Sequence, residues 1–270
     1  MSELIVCRPK MLPLERWAEA AETAVKINPF NRPAVEHLSM LMPGFAPTKE
    51  RIAAATTKYW HSGGVMLTVG FLDNPPADLR TRILKHMNAW DKTAKVKFTQ
   101  TKTDPQVRIA RVAGDGYWSY VGTDILGIKT DEPTMNLYSF SMQTPESEYK
   151  RVVRHETGHT MGFVHEHMRK VLVAKIDPEK AYAYFLANDG WSKEVVDQQV
   201  LTPIEESSLT GTNPPDPNSI MCYQLPGSIT KDSKPIIGGV DIDPTDYKFA
   251  ATLYPVNKKK NKKNKKKKKK

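Results

Sequence analysis

Cysteine is scarce in this sequence: Cys7 and Cys222 are the only two among 270 residues. Two cysteines cannot build the multiple disulfides on which small extracellular domains depend, so the fold must rest on a hydrophobic core. The sequence also lacks the apolar run of a secretory signal, and it lacks the roughly 18 consecutive apolar residues that a membrane helix needs. We therefore expect no transmembrane segment, and a protein that is cytoplasmic or exported by a non-classical route.

Positive charge is concentrated at one end of the sequence. The formal net charge is +10, but residues 258–270 contain eleven lysines and two asparagines. Removing these eleven charges leaves −1 for residues 1–257, so the body of the protein carries no basic excess. A block of like charges this dense cannot collapse, and we expect residues 257–270 to form a disordered polylysine tail. The tail could contact a polyanion, such as nucleic acid or an anionic membrane, or could be solvated without a partner.

The patterns of apolar residues predict an α+β fold. Strand and helix patterns alternate in the first half of the sequence, and loops with a few helices fill the second half, which is typical of two lobes with a cleft between them. Thr144 is expected to cap the helix that begins at Pro145. The predicted helices cover Leu14–Ile27, about 79–90, Pro145–Met161 and a segment after Asp243, and the predicted strands cover 64–73, 96–98, 107–109 and 133–140.

Four of the seven histidines lie in the segment HETGHTMGFVHEH, residues 155–167. On a helix, His155 and His159 are four residues apart, so both imidazoles project from one face and can bind one zinc ion. Glu156 neighbours the first ligand, where its carboxylate can take a proton from water without binding the metal itself. This spacing indicates a zinc site with a general base.

A third ligand is available six residues after the second. Gly162 can turn the chain sharply out of the helix because it has no Cβ, and His165 can then return to the metal. The alternative is a polar helix with histidines placed by chance, which a bare His-Glu-x-x-His pattern does not exclude. The longer pattern, with Gly162 and His165 at their offsets, favours a metal site.

At these residues the sequence resembles the metzincin metalloproteases, and among them the astacins. Glu166 follows the third histidine, as in astacins, and the later segment NSIMCYQ resembles the methionine turn of the family. The resemblance implies that Met221 forms an apolar floor beneath the zinc and that Tyr223 donates a hydrogen bond to the developing oxyanion. It also implies a structural role for Glu166, which would hold the two lobes or a chain terminus.

The resemblance covers about residues 55–256 and implies a metzincin catalytic domain over residues 51–256. Its upper lobe would span about residues 51–164 and its lower lobe about residues 165–256. The sequence departs from astacins in its lack of paired disulfides and of a secretory signal, and in Cys222, which replaces the usual histidine after the methionine. These departures fit a disulfide-free relative of microbial type better than a close relative of animal astacins.

The function that the resemblance implies is that of a zinc-dependent endopeptidase with one catalytic Zn²⁺ and a protein or peptide substrate. Two alternatives stay open. The first is a zinc-bearing binding protein without turnover, against which the intact Glu156 argues, and the second is a polyanion or membrane-surface binder that acts through the lysine tail. The oligomeric state is not indicated. Extended substrate would pair with an edge strand formed by Thr134, Met135, Asn136 and Leu137.

Cys7 lies in residues 1–50, which form a helical extension or an inhibitory prosegment. A cysteine thiolate is a good zinc ligand, so Cys7 could occupy the open position of the metal and keep the enzyme latent. The alternative is a small buried hydrophobe or an inert surface thiol. His167, which closes the histidine-rich segment, could support the metal ligands, but we expect it to be exposed.

Overall fold

The computed structural model describes residue 7, residues 10–33, residue 36, residues 48–203, residues 215–222 and residues 224–256. The expected polylysine tail and Tyr223 therefore lie outside the described residues. Among the residues that the structure describes, no helix is long and apolar enough to cross a membrane.

A five-stranded sheet forms the framework of the first half of the chain. Its spatial order is β2-β1-β3-β5-β4. The first four strands in this order run parallel to one another, and β4 runs antiparallel to β5. The four predicted strands are confirmed, with β4 as an addition. The strands are β1 (Val65–Phe71), β2 (Val96–Gln100), β3 (Val107–Ala110), β4 (Tyr117–Ser119) and β5 (Met135–Leu137).

The edge of this sheet differs from the prediction, which placed it at Thr134–Leu137. That prediction is wrong, because β5 is hydrogen-bonded to β3 on one side and to β4 on the other. The buried side chain of Asn136 donates to the carbonyl oxygens of Val112 and Gly116, so it holds the loop that leads into β4. The edge strand beside β5 is β4, a short strand that follows Gly114 and Gly116 and that the strand predictions do not include.

Helices flank the sheet and build most of the second half. The α-helices of the described residues are α1 (Trp17–Ile27), α2 (Lys49–Ala55), α3 (Ala77–Met87), α4 (Glu146–Glu148), α5 (Arg154–Thr160), α6 (Lys170–Val173), α7 (Pro178–Asp189), α8 (Lys193–Val196) and α9 (Pro244–Leu253). Wider π-helical turns span Tyr149–Val153 and Asp197–Leu201. Short 3₁₀ helices span Leu14–Arg16, Pro29–Asn31, Asn88–Lys92, Gly122–Gly127, Glu166–Met168 and Gly227–Ile229.

The long helix predicted from Pro145 is present as α4, the π-helical turn and α5 in succession. Its beginning differs from the prediction. The Thr144 hydroxyl accepts a hydrogen bond from the Ser141 amide at 3.0 Å, so it closes the preceding turn and does not cap the helix. Pro145 stands at the capping position without a side-chain hydrogen bond. At α9, by contrast, Asp243 and Asp246 form the reciprocal bonds of a capping box.

Two hydrophobic cores are formed by the described residues. The first combines the sheet with α3, the long helical stretch and α9, and the second combines α6, α7 and α8 with the segment around Leu225–Ile236. The predicted lower lobe, about residues 165–256, includes α9. In the structure, however, Ala250 of this helix packs in the first core. The hydroxyl of Tyr254, just after the helix, donates to the Met161 carbonyl at 2.5 Å. The end of the chain body therefore returns to the lobe that holds the histidine helix.

Candidate metal centre and active site

The histidines of the site are placed by α5 and by the turn that ends it. His155 and His159 lie one helical turn apart on α5. Gly162 then adopts φ +101°, a conformation that residues with a Cβ rarely adopt, and an added Cβ would also lie 3.0 Å from the Lys58 carbonyl. The turn at Gly162 brings His165 back beside the other two rings.

The three imidazoles point their Nε2 atoms at one place. The Nε2 atom of His159 lies 3.1 Å from that of His155 and 3.0 Å from that of His165, and the third distance is 3.2 Å. Nitrogen atoms held about 2.0–2.1 Å from a shared zinc ion at tetrahedral angles would lie about 3.3 Å apart. The observed spacing therefore fits three ligands of one ion.

The tautomers of two histidines support the same conclusion. The Nδ1 atom of His155 lies 2.6 Å from the Ile220 carbonyl oxygen, and that of His159 lies 2.7 Å from the Phe163 carbonyl oxygen. Because a carbonyl only accepts, each Nδ1 carries the proton and each Nε2 presents a lone pair. Two lone pairs 3.1 Å apart repel each other unless a cation lies between them, so the residues fit a bound metal.

Burial keeps the three rings neutral. Desolvation lowers the pKa of His159 to about 4 and lowers the pKa values of His155 and His165 well below the usual value. Neutral imidazole is the form that binds a metal ion, so these rings are ready to bind one at neutral pH.

Glu156 lies on the same helical turn and is almost fully buried. Desolvation raises the pKa of its carboxyl to about 8, and a hydrogen bond with Cys7 acts in the opposite direction. Its Oε2 atom has no hydrogen-bond partner in the part of the chain that the structure describes. A buried acceptor of this kind, beside three converging imidazoles, is suited to bind a water molecule or a substrate group.

Cys7 is brought to the same centre from the other end of the chain. Its Sγ atom and one nitrogen from each of His155, His159 and His165 all lie within 4.8 Å of one another. The Cys7 side chain also contacts Glu156, and its backbone forms a parallel bridge with Tyr117 of β4. Cysteine and three histidines together form a complete tetrahedral ligand set for zinc.

The segment predicted as a methionine turn packs against the histidine helix. A Cβ atom on Gly158 would lie 2.4 Å from the Sδ atom of Met221, so the methionine occupies the space where a side chain would stand. Asp246 of α9 holds this turn, because its carboxylate accepts from the Ser219 hydroxyl at 2.6 Å and from the Ile220 amide at 2.9 Å. The Ile220 carbonyl in turn accepts from His155, so α9 orients a histidine of the site.

Glu166 joins the segments that flank the centre. Its backbone amide donates to the Met221 carbonyl at 2.9 Å, and its carboxylate accepts from the Asp216 amide at 3.0 Å. Arg169 lies 3.6 Å from the same carboxylate. Desolvation raises the pKa of the Glu166 carboxyl. These contacts link the end of the histidine segment with the methionine turn.

His167 is fully buried, so the prediction of an exposed side chain is wrong. Its Nε2 atom lies 3.1 Å from the Gln199 carbonyl oxygen in the second π-helical turn, and its ring lies 5.1 Å from that of His165. Burial lowers the pKa of His167 to about 3. The spacing of histidines in the sequence does not reveal this contact, because Gln199 is 32 residues away.

A pocket opens beside His155 and Glu156. It lies between β4, the helix that carries the histidines and the methionine turn, and Cys7 forms part of its wall. The other lining residues include Tyr117, Arg151, Cys222 and Gln224. Among the sequence-predicted site residues, Thr134–Leu137 lie outside this pocket, within the interior of the sheet.

Comparison with known proteins gives concordant matches. The model of the astacin family of peptidases matches residues 53–237. The zinc metalloproteinase nas-27 of Caenorhabditis elegans is 31% identical over 126 residues, which are 46% of this chain and 27% of that protein. The match thus spans about a quarter of the length of that curated relative.

Two solved structures of myroilysin share the fold. One has a TM-score of 0.69 and 31% identity and covers 74% of this chain and 97% of the myroilysin chain. The other has a TM-score of 0.58 and 30% identity and covers 74% and 86% of the two chains. Both similarities therefore extend over about three quarters of this chain.

Proposed function

Because this chain belongs to the astacin family of zinc peptidases, we propose that it is an endopeptidase in which His155, His159 and His165 hold one zinc ion and Glu156 acts as general base. The observation that carries this proposal is the convergence of three Nε2 atoms within 3.0–3.2 Å of one another, beside a buried carboxylate.

The chemistry of the site divides between the metal and the protein. When bound, zinc supplies Lewis acidity, which lowers the pKa of water to about 7 and polarises a carbonyl oxygen. Glu156 would take the proton from the attacking water and later deliver it to the leaving amine, since its buried carboxylate lies beside the three imidazoles. Ile220 and Phe163 fix the two helix histidines through their carbonyl oxygens. Tyr223, which lies outside the described residues, would donate to the oxyanion.

Extended substrate would pair with β4, which lies at the edge of the sheet. Main-chain hydrogen bonds to such an edge bind a peptide without depending on its sequence. The side chain of Ser119 in this strand lies 3.0 Å from that of Thr160 in α5, so β4 and the histidine helix form adjoining walls of the cleft. A peptide along β4 would thus pass the three imidazoles.

We further propose that the full-length chain is latent because Cys7 occupies the position that water and substrate require. Cys7 lies with the three histidines and also contacts Glu156, so it stands between the metal position and the general base. Its bridge to Tyr117 places the same segment along β4. One residue therefore blocks both the fourth coordination position and the approach to Glu156.

The role of Glu156 is tested in the Cys7→Ala background with Glu156→Gln. The amide keeps the shape of the side chain but cannot take a proton, so we expect peptide cleavage to fall on the order of 10²–10⁴-fold while zinc content is unchanged. Glu179→Gln, an exposed glutamate on α7, is the matched control. Unchanged cleavage in Glu156→Gln would contradict the proposal. A zinc-bearing protein without turnover would show no cleavage in any variant.

Latency is tested by comparing Cys7→Ala with Cys222→Ala in the full-length chain. If the Cys7-bound form accounts for about nine-tenths or more of the molecules, Cys7→Ala raises peptidase activity about tenfold or more, since activity follows the competent fraction. Cys222 lines the same pocket but is not part of the metal-binding group, so its replacement should give no activation. Equal activity of wild type and Cys7→Ala would rule out cysteine latency.

A further inference from the structure

Lys10 lies three residues after Cys7 and makes two specific contacts on β4 and the loop before it. Its Nζ atom lies 3.7 Å from the carboxylate of Asp115 and 4.7 Å from the centre of the Trp118 ring. A cation placed over an aromatic face and next to a carboxylate is attracted by both groups. The N-terminal segment therefore presents a cation to a receptor formed by these two residues.

The contacts that position Asp115 and Trp118 in this receptor do not involve Lys10. The Trp118 indole donates to the Asp115 carboxylate at 2.8 Å, which fixes the carboxylate beside the ring. Asn136 of β5 donates to the Gly116 carbonyl at 2.7 Å, so the loop that carries Asp115 is anchored from the interior of the sheet. Trp118 itself is paired with Asn136 across the two strands. The arrangement stays available to another cation when Lys10 leaves.

The register of the segment gives the position of this receptor along the cleft. Parallel β-bridges join Cys7 to Tyr117 and Lys10 to Tyr120. The partners are 110 residues apart in sequence at both bridges, so the N-terminal segment keeps one register along β4. Tyr117 and Tyr120 are three positions apart, which is about 10 Å along a strand. Cys7 lies beside the histidines, whereas the backbone of Lys10 pairs three positions farther along, at Tyr120, and its side chain reaches back to Trp118 and Asp115.

We propose that Asp115 and Trp118 form a subsite for a lysine or arginine side chain of the substrate, about three residues from the bond that is cleaved. This proposal rests on the proposed peptidase function, since substrate must displace the segment that carries Cys7 and Lys10. An extended peptide paired with β4 passes the same two residues as that segment does. A basic side chain then replaces the contacts of Lys10, whereas an acidic side chain meets the Asp115 carboxylate.

The test uses the full-length chain with Cys7→Ala and Lys10→Ala, which removes the blocking thiol and the internal cation. Two series of peptides are cleaved, one with a single lysine moved through four positions on each side of the bond and one with glutamine in its place. Both sides are scanned because a peptide can pair with β4 in either direction. The measured quantity is kcat/KM for each lysine peptide relative to its glutamine counterpart.

We expect lysine to be favoured about three- to tenfold at one position two to four residues from the cleaved bond, the range for an exposed ion pair combined with a cation–π contact. Asp115→Asn should remove this preference, so that lysine and glutamine peptides are cleaved with similar kcat/KM, and its far-ultraviolet circular dichroism spectrum should match that of the parent chain, which shows that the variant is folded. Asp115→Glu should restore part of it. Asp91→Asn, the same change at an exposed residue of the 3₁₀ helix after α3, is the control and should keep the preference.

Three results would overturn the proposal. Lysine could be favoured nowhere, or the preference could persist in Asp115→Asn. Alternatively, Asp115→Asn could raise the activity of the otherwise unaltered chain without changing any preference, in which case Asp115 only anchors the N-terminal segment. Failure to cleave either series would contradict the peptidase function itself, and with it this subsite.

Discussion

Gly158 is a position of the histidine helix at which packing against Met221 requires glycine. The residue lies between Glu156 and His159, and a Cβ there would meet the Met221 Sδ atom at 2.4 Å and the Trp90 ring at 3.4 Å. Both neighbours are buried in the first core, so neither can move into solvent. The methionine and the helix can approach this closely only because position 158 has no side chain.

Gly158→Ala should therefore destabilise the protein although alanine favours helix. We expect a loss of about 1–3 kcal/mol in the free energy of unfolding from overpacking, measured by urea denaturation. Ser147→Ala, on the exposed surface of α4, is the control and should change stability by less than about 0.5 kcal/mol. A Gly158→Ala variant as stable as wild type would show that the methionine turn can retreat from the helix.

At this scale the sequence predicts which histidines converge better than it predicts what surrounds them. His155, His159 and His165 are found from spacing alone, because the helical repeat and one glycine turn fix where the rings point. The location of Cys7 and the burial of His167 depend on segments distant in sequence, since Tyr117 and Gln199 are their backbone partners. No local pattern carries that information.

Helix α9 shows how one element positions another. Asp246 in its first turn accepts from Ser219 and Ile220, and the Ile220 carbonyl accepts from the Nδ1 of His155. The helix start thus holds the methionine turn, and the turn fixes the tautomer of His155, one of the proposed metal ligands. The sequence predicts a helix that begins after Asp243, but it does not show that the start of this helix supports the histidine site.

Two variants at this helix start should separate these roles. Asp246→Ala removes the support of the turn and should lower zinc affinity about 10- to 100-fold, measured by competition with a chelator. Asp243→Ala removes the cap and a side-chain contact with Asp216 but not the bonds that hold Ile220, and it should cost about 1 kcal/mol of stability with little change in zinc affinity. Equal zinc affinity in the two variants would mean that α9 does not orient His155.

The strands differ in how well the sequence predicts them. The longer strands β1 and β2 are recognisable from their apolar residues and from the turns that bound them. The three-residue strand β4 lies among glycines, and only its pairing with β5 gives it an extended conformation. Which strand lies at the edge of a sheet depends on strand order, and local sequence patterns do not give strand order. The prediction therefore placed the edge one strand too far inward.

In the whole molecule, the metal centre lies where separate parts of the chain meet. His155 and His159 belong to the helix of the first core, while Cys7 packs with Cys222 and the residues of the second core. Glu166 and the methionine turn connect the two cores beside the histidines. A zinc ion bound by all four ligands would therefore link the N-terminal segment to both cores.

The most direct test of this account is zinc X-ray absorption spectroscopy on the purified full-length chain. We predict one zinc ion per molecule with one sulfur at about 2.3 Å and three nitrogens at about 2.0–2.1 Å. In Cys7→Ala the sulfur contribution should disappear while the nitrogens remain. Protein without stoichiometric zinc, or wild type whose zinc is bound by nitrogen and oxygen alone, would contradict the account.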